Sequence, residues 1–295
     1  MMEAKKSGAG HRKYKLCRRI LGNPIVEEDT YCREIKDGKP HGDGERNAAG
    51  EREGYGVLVM ASGNMHEGQW RAGMQEGVGT MHWATGDKYV GQWADGRREG
   101  QGTLHYPNGN KYEGEWVASQ KEGQATYYNA AGETYEGEYV AGRKQGKGTH
   151  YYASGSKYVG QWAADKKEGQ GTMHSTNDDG NTYDVYEGEW VAGKKEGKGT
   201  YHYASGNKYE GEFVADRREG KGTLHWATGH VEVDRYKADA VVGEGARWSA
   251  DRATAWRMSG GKTSLMPISL EEAARIAEQV GLPVPGASSQ SPLAC

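Results

Sequence analysis

The sequence predicts an all-β protein, an elongated single-layer antiparallel sheet of stacked β-hairpins with a short C-terminal capping helix. Three observations carry that expectation. A 23-residue period brings the same glycines and aromatics back in phase, large and polar residues alternate within each half-period, and one helical-period stretch stands near the C-terminus.

Composition already excludes an ordinary globular core. Of 295 residues only 35% are hydrophobic, yet the chain carries 47 Gly, 19 Tyr and 9 Trp against a single Phe. Tyr and Trp suit half-wet surfaces, where the ring body packs and a polar tip reaches water. Intrinsic disorder would require few aromatics and a large net charge, and the formal charge is −3. That balance argues against nucleic acid as a partner. Cys17, Cys32 and Cys295 form no CxxC pair, which fits a reducing compartment. The sequence shows no apolar run of bilayer length and no signal-peptide core, so a cytoplasmic protein is expected.

The repeat has two anchored blocks. A Tyr-x-Gly-x-aromatic block occurs at Tyr89-Gly91-Trp93, Tyr112-Gly114-Trp116, Tyr135-Gly137-Tyr139, Tyr158-Gly160-Trp162, Tyr186-Gly188-Trp190 and Tyr209-Gly211-Phe213. A first copy has His66 in the Tyr slot, before Gly68 and Trp70. Steps are 23 residues, except for 28 between Tyr158 and Tyr186. A Gly-x-Gly block follows 11 residues after each Tyr slot, as at Gly100/Gly102 and Gly146/Gly148, with Gly123/Ala125 the one lapse. The seven clear repeats run from 66 to 228, inside a ribbon expected over 31–248 with degenerate ends. This pattern resembles the MORN repeat (membrane occupation and recognition nexus), and the resemblance implies the hairpin stack.

The residues predict the hairpin independently. In Lys111–Trp116, Tyr, Gly and Trp alternate with charged residues, and Gly100–Tyr106 alternates likewise. A short polar loop joins the halves, and turns such as Pro107-Asn108-Gly109-Asn110 lead onward. Keeping the large residues on one face pairs Tyr112 with Tyr127 and Trp116 with Gly123. On that register every Trp slot faces the first glycine of its own Gly-x-Gly block, leaving room for the indole.

At the front, residues 1–30 read as a basic, flexible tail, with Lys5, Lys6, Arg12, Lys13, Lys15, Arg18 and Arg19 against Glu3. Tyr31 to Gly44 copies a hairpin with a Gly42/Gly44 block, but the 12-residue spacing from Gly42 to Gly54 leaves its register open. The 249–295 segment is expected to be a cap. Ser269-Leu270-Glu271-Glu272 is a capping box, Leu270, Ala273, Ala274, Ile276, Ala277 and Val280 make an apolar face, and Gly281 ends a helix over 269–281 before a loose tail. Its expected role is a lid over the exposed sheet edge.

Several chemistry-like motifs fail on their own terms. Gly260-Gly261-Lys262-Thr263 lacks the leading glycine of a phosphate loop, where Trp256 stands. Asn177-Asp178-Asp179-Gly180 copies part of a calcium loop, but Tyr186 occupies the twelfth position. His82, His105, His174, His202 and His225 recur at one repeat position, ~10 Å apart with a strand between them, too far to share an ion. No metal, cofactor or catalytic residue is assigned.

Function is therefore expected in binding. The leading reading is a non-catalytic protein scaffold, with Trp93, Trp116, Tyr139, Trp162, Trp190 and Phe213 as groove contacts. The alternative, implied by the family resemblance, is weak contact with anionic phospholipid. After neutralising neighbours are counted, Arg143, Lys144, Lys194 and Lys195 keep the basic surplus such headgroups need. MORN repeats also accompany phosphoinositide kinase and SET-type methyltransferase domains, but the segment after the last repeat has no room for either. Residues Gly44 to Gly56 look like the lead-in of the MORN proteins of ciliary radial-spoke heads, which points to a cytoskeletal or ciliary assembly. Pairing of two ribbons as a homodimer is left open.

Overall fold

A computed structural model describes residues 17–20, 23–25, 28–37, 39–176, 183–259 and 262–286. The chain forms two compact units, 1–130 and 131–295. In the first, strands Met65–Arg71 and Met74–His82, Lys88–Ala94 and Arg97–His105, and Lys111–Val117 and Gln120–Tyr128 make three successive hairpins, preceded by Gly54–Val59. In the second, five hairpins run from Thr134–Val140 to Ala240–Trp248, followed by the pair Ala255–Ser259 and Lys262–Ile268. From Gly54 onward each described pairing is antiparallel between chain neighbours, so each unit is one layer of stacked hairpins.

The loop inside each hairpin is a two-residue turn whose residues both have positive φ, such as Ala118 (48°) and Ser119 (68°), or Ala164 (47°) and Asp165 (70°). That is the mirror-image turn whose twist matches a hairpin. Alanine at positive φ is disfavoured, and the preceding hairpin compensates with hydrogen bonds. Ala118 N–H donates to Glu99 Oε2 at 2.9 Å, Ala192 N–H to Glu168 Oε2 at 2.9 Å, and Ala238 N–H to Glu219 Oε2 at 2.8 Å. Each acidic residue after a dibasic pair is thus a clamp on the next turn.

The register departs from expectation at one point. Tyr112 faces Tyr127, as expected, but a bulge between Gly114 and Glu115 moves Trp116 opposite Lys121. Trp116 instead faces Gly100, the first glycine of the preceding repeat. The bulge explains that glycine, since Gly100 has φ +60°, a conformation costly for a residue with a Cβ. The second glycine has another cause. A Cβ on Gly102 would collide with the Tyr89 ring, which lies across the hairpin and donates its hydroxyl to Gln92 O at 3.1 Å.

Two further expectations change. Tyr31 belongs to a complete hairpin, in which Thr30–Lys36 pairs with Lys39–Asp43 and again with Gly54–Val59. Gly44 and Gly56 both lie under the Tyr31 ring, so the 12-residue spacing is an insertion at the bulge of one repeat. The inserted loop returns through an Arg46–Arg52 bridge. Part of the expected tail, Cys17–Ile20 and Asn23–Ile25, pairs as two short strands, and residues 1–16 lie outside the described set.

Helix Leu270–Val280 has Ser269 accepting from Glu272 N–H and Gly281 in the left-handed region. It covers the polar face of the last hairpins, not the sheet edge. Ala273, Ile276, Ala277 and Val280 pack on Val233, Ala246, Trp248 and Ala255. The reason is local composition, because Lys, Glu and Thr on that face give way there to Val, Ala and Trp.

Gly148→Val drives a branched side chain into the Tyr135 ring and is expected to cost about 3 kcal/mol or more in urea unfolding. Gly142→Asp copies the turn residue of neighbouring hairpins, such as Asp165, and is expected to stay within about 0.5 kcal/mol. Equal midpoints for the two variants would contradict the ring-over-glycine arrangement.

Candidate functional site

The two faces of the sheet do different work. On one, the rings form a buried edge-to-face column. In the first unit it includes Tyr31–Trp70, His66–Trp93, Tyr89–Trp116 and Tyr112–Trp116, with centroids 5.6, 5.1, 5.4 and 5.1 Å apart. In the second it includes Tyr135–Trp162, Tyr158–Trp190, Tyr186–Phe213 and Tyr209–Tyr236, at 5.2, 5.3, 5.0 and 5.2 Å. Perpendicular rings at this spacing gain quadrupole attraction beyond burial. Each indole also donates to a glycine carbonyl of the preceding hairpin, as Trp116 to Gly102 O at 3.2 Å and Trp162 to Gly148 O at 3.1 Å.

The six expected groove contacts belong to this column. Trp93, Trp116, Tyr139, Trp162, Trp190 and Phe213 are 6, 2, 4, 5, 2 and 3% exposed. They are packing residues, and a partner resting on the sheet would touch little of them. The mechanism of their burial was not evident from the sequence, because the second base of each dibasic pair lies over the rings. Arg98 stands 4.1 Å from the Trp116 centroid, Lys167 4.3 Å from Trp190, and Arg218 4.6 Å from Tyr236. Parity counted through the tight turn would have found this, since Lys121 faces Trp116 directly.

The candidate headgroup contacts divide accordingly. Arg143 and Lys194 are exposed. Lys144 lies 4.3 Å from the Tyr135 centroid and Lys195 4.5 Å from Tyr201, and burial holds both ammonium groups below the ordinary lysine range. Of the four, Arg143 and Lys194 are the two that stand exposed.

The opposite face is polar except where the helix covers the last hairpins. Val140, Val191 and Val214 stand 43, 49 and 49% exposed along the tight turns, each paired across its turn with Arg143, Lys194 or Arg217. In the middle of this face in unit 131–295 lies a groove of about 890 Å³. Thr172, Glu187, Thr200 and Glu210 form its floor, Gln170, Lys198 and Lys221 flank it, and Gly281 and Leu282 after the helix wall one end. Alternating hydroxyls, carboxylates and ammonium groups on flat strands suit hydrogen bonding along an extended segment. The histidine ladder shares this face, with His105 opposite both Lys88 and Lys111. Among the described residues no three His, Cys, Asp or Glu side chains converge for a metal. The Asn177–Gly180 loop lies outside those residues, as do Gly260 and Gly261.

The column of the first unit contains one histidine among its tyrosines. His66, fully buried in a Tyr slot, has no partner for either ring nitrogen, and burial first, then Arg52, pushes it down to about 4. Between 6.5 and 4 the unfolded chain gains a proton that the folded one refuses, so stability falls as pH drops through that window. His66→Tyr restores the hydroxyl bond of its neighbours and is expected to remove up to about 3 kcal/mol of this acid-side loss in urea titrations at pH 7 and 4.5. Lys167→Met is expected to cost about 1 kcal/mol and Lys166→Ala almost nothing. Equal losses would show that the ring contact is not stabilising.

Known proteins bear on these findings as follows. The MORN repeat matches residues 48–65, 66–88, 89–111, 112–134, 135–157, 158–180, 186–208 and 209–231. A search of curated proteins gives no match. Among solved structures, the chain is similar to the TCP10 domain of Danio rerio CPAP in complex with a STIL peptide. That pair has 9% identity and a TM-score of 0.44, over 76% of this chain and 97% of the other. The SAS-4 TCP domain of Drosophila melanogaster with a proline-rich motif of Ana2 has 13% identity and a TM-score of 0.31, over 65% and 88%. Among the described residues no helix is long and apolar enough to cross a membrane. With more than half of its length matched and the hairpin stack in place, the chain belongs to the MORN-repeat family.

Proposed function

We propose that this protein is a non-catalytic scaffold that holds an extended segment of a partner protein on its polar face. The observation that carries the reading is the groove over Thr172, Glu187, Thr200 and Glu210. It lies on the face that the ring column leaves free. Strands there present fixed charges and hydroxyls at regular spacing, which gives register and orientation to a chain laid across them. Exposed Val159 lines the groove and adds an apolar contact to it. Carboxylates on this face are tied to lysines, as Glu210 to Lys208 at 2.7 Å, an arrangement for recognition rather than for proton transfer. A cytoskeletal or ciliary assembly in the cytoplasm is the setting that the Gly44–Gly56 lead-in supports.

The test is affinity capture with mass spectrometry from a ciliated-cell extract, comparing the intact chain with Thr200→Arg and with Lys198→Glu/Lys221→Glu. Both variants alter exposed or half-exposed side chains, and their melting curves are expected to match the parent. Loss of the same captured proteins in both supports the groove. Undiminished capture by folded variants removes the groove from the interface. Salt-resistant retention on vesicles containing phosphoinositide, lost on Arg143→Glu/Lys194→Glu, would favour headgroup binding instead.

A further inference from the structure

The last hairpin breaks the ring-over-glycine rule in a specific way. In Val231–Lys237, Glu232 occupies the Tyr slot and Asp234 the Gly slot, opposite Gly222. A Cβ on Gly245 would collide with Asp234 Oδ1, so the carboxylate lies where a ring lies in the other repeats. Asp234 is 0% exposed, and neither of its oxygens has a hydrogen-bond partner. The preceding residue, Val233, points to the opposite face and is also 0% exposed, packed with Ala246 and Trp248 under Ala273, Ile276, Ala277 and Val280 of the helix. Asp234 thus shares its strand with a residue on which the helix rests.

We propose that this hairpin and helix Leu270–Val280 form a proton-gated end of the sheet. With Asp234 neutral the hairpin is closed and the helix docked; with Asp234 ionised the hairpin opens and the helix is released. The surrounding charges do not rescue the ionised form. On the same strand stand Glu232, paired with Arg247, and Tyr236. Strand Arg217–His225 contributes Arg218, which is held by Asp239 at 3.2 Å and by the Tyr236 and Tyr209 rings at 4.6 and 5.4 Å. Arg247, on strand Ala240–Trp248, is spent on Glu232 and lies 5.4 Å from the Trp226 ring centroid. The helix packs on the other face, where Glu272 pairs with Arg257.

Burial first, and then Glu232, push Asp234 up to about 7 from an ordinary 3.8. Between those values the closed hairpin keeps a proton that the open chain has lost. Closure is therefore strongest at the acid end, weakens as pH rises from about 4 to about 7, and levels off above. This is the opposite sign to His66.

The test is hydrogen exchange of the full chain from pH 5 to 8.5, corrected for intrinsic rates. Protection of 231–248 and 270–280 is expected to fall at least tenfold between pH 5 and pH 7 and to change little above, while 157–176 stays constant. Asp234→Asn should hold both segments protected throughout. Identical profiles for parent and variant overturn the proposal. A direct carbon-13 titration of the Asp234 carboxyl in the parent decides the matter even if the variant fails to fold. A single step near 7 shared with helix resonances supports the gate, and a step near 4 overturns it.

Discussion

Tyrosine rings lie across the hairpins over backbone that carries no Cβ, with Ala125 in the Tyr112 hairpin the one exception. Everything else in the sheet follows from that arrangement. Gly91 and Gly102 leave the floor clear, Tyr89 lies over it, and Trp93 and Trp116 meet its edges from either side at 5.2 and 5.4 Å. A single layer has no second sheet to bury its large residues. It must bury rings against its own backbone and against one another, and the arginine or lysine above them completes the seal. Burial raises the Tyr89 phenol to about 12, which keeps the hydroxyl a donor to the Gln92 carbonyl at any physiological pH.

Under the proposed function, this division of labour puts binding on the polar face. Large aromatics usually advertise an interface, and in a repeat protein rich in Trp and Tyr that inference is natural. Here the rings are consumed by stability and the surface they leave is made of Thr, Glu, Lys and Val. Recognition on such a face rests on hydrogen bonds and ion pairs in fixed rows, so it is selective about charge order and sensitive to salt.

How much of this was legible beforehand varies with the kind of physics involved. The period, the hairpins and the helix were readable because they are patterns of residue type: Tyr-x-Gly-x-aromatic, alternation, and a capping box at Ser269 with Gly281 at the far end. The bulge between Gly114 and Glu115 was not, since a one-sided irregularity leaves no mark except a glycine, and glycines were already plentiful. Missing it misplaced Trp116 by one hairpin and hid the role of Lys121. The roles of Lys144 and Lys195 were hidden for the same reason, as two adjacent basic residues look equivalent until the turn sends one to each face. The helix was legible, but its seat was not, because Val233, Ala246 and Trp248 come together only through the pairing of their strands.

The split first repeat shows what the bulge makes available. Gly42-x-Gly44 and Gly54-x-Gly56 offer two candidates for one slot beneath Tyr31, and the chain between them leaves the sheet and returns in register. The longer step after Tyr158 is absorbed at the other kind of junction, where strands Lys166–Thr176 and Tyr183–Val191 pair out as far as Thr176 and Tyr183. Neither addition disturbs a ring. Added residues enter this chain at two kinds of point within the 23-residue period, so new loops can be acquired there while the stack that supports them stays as it was.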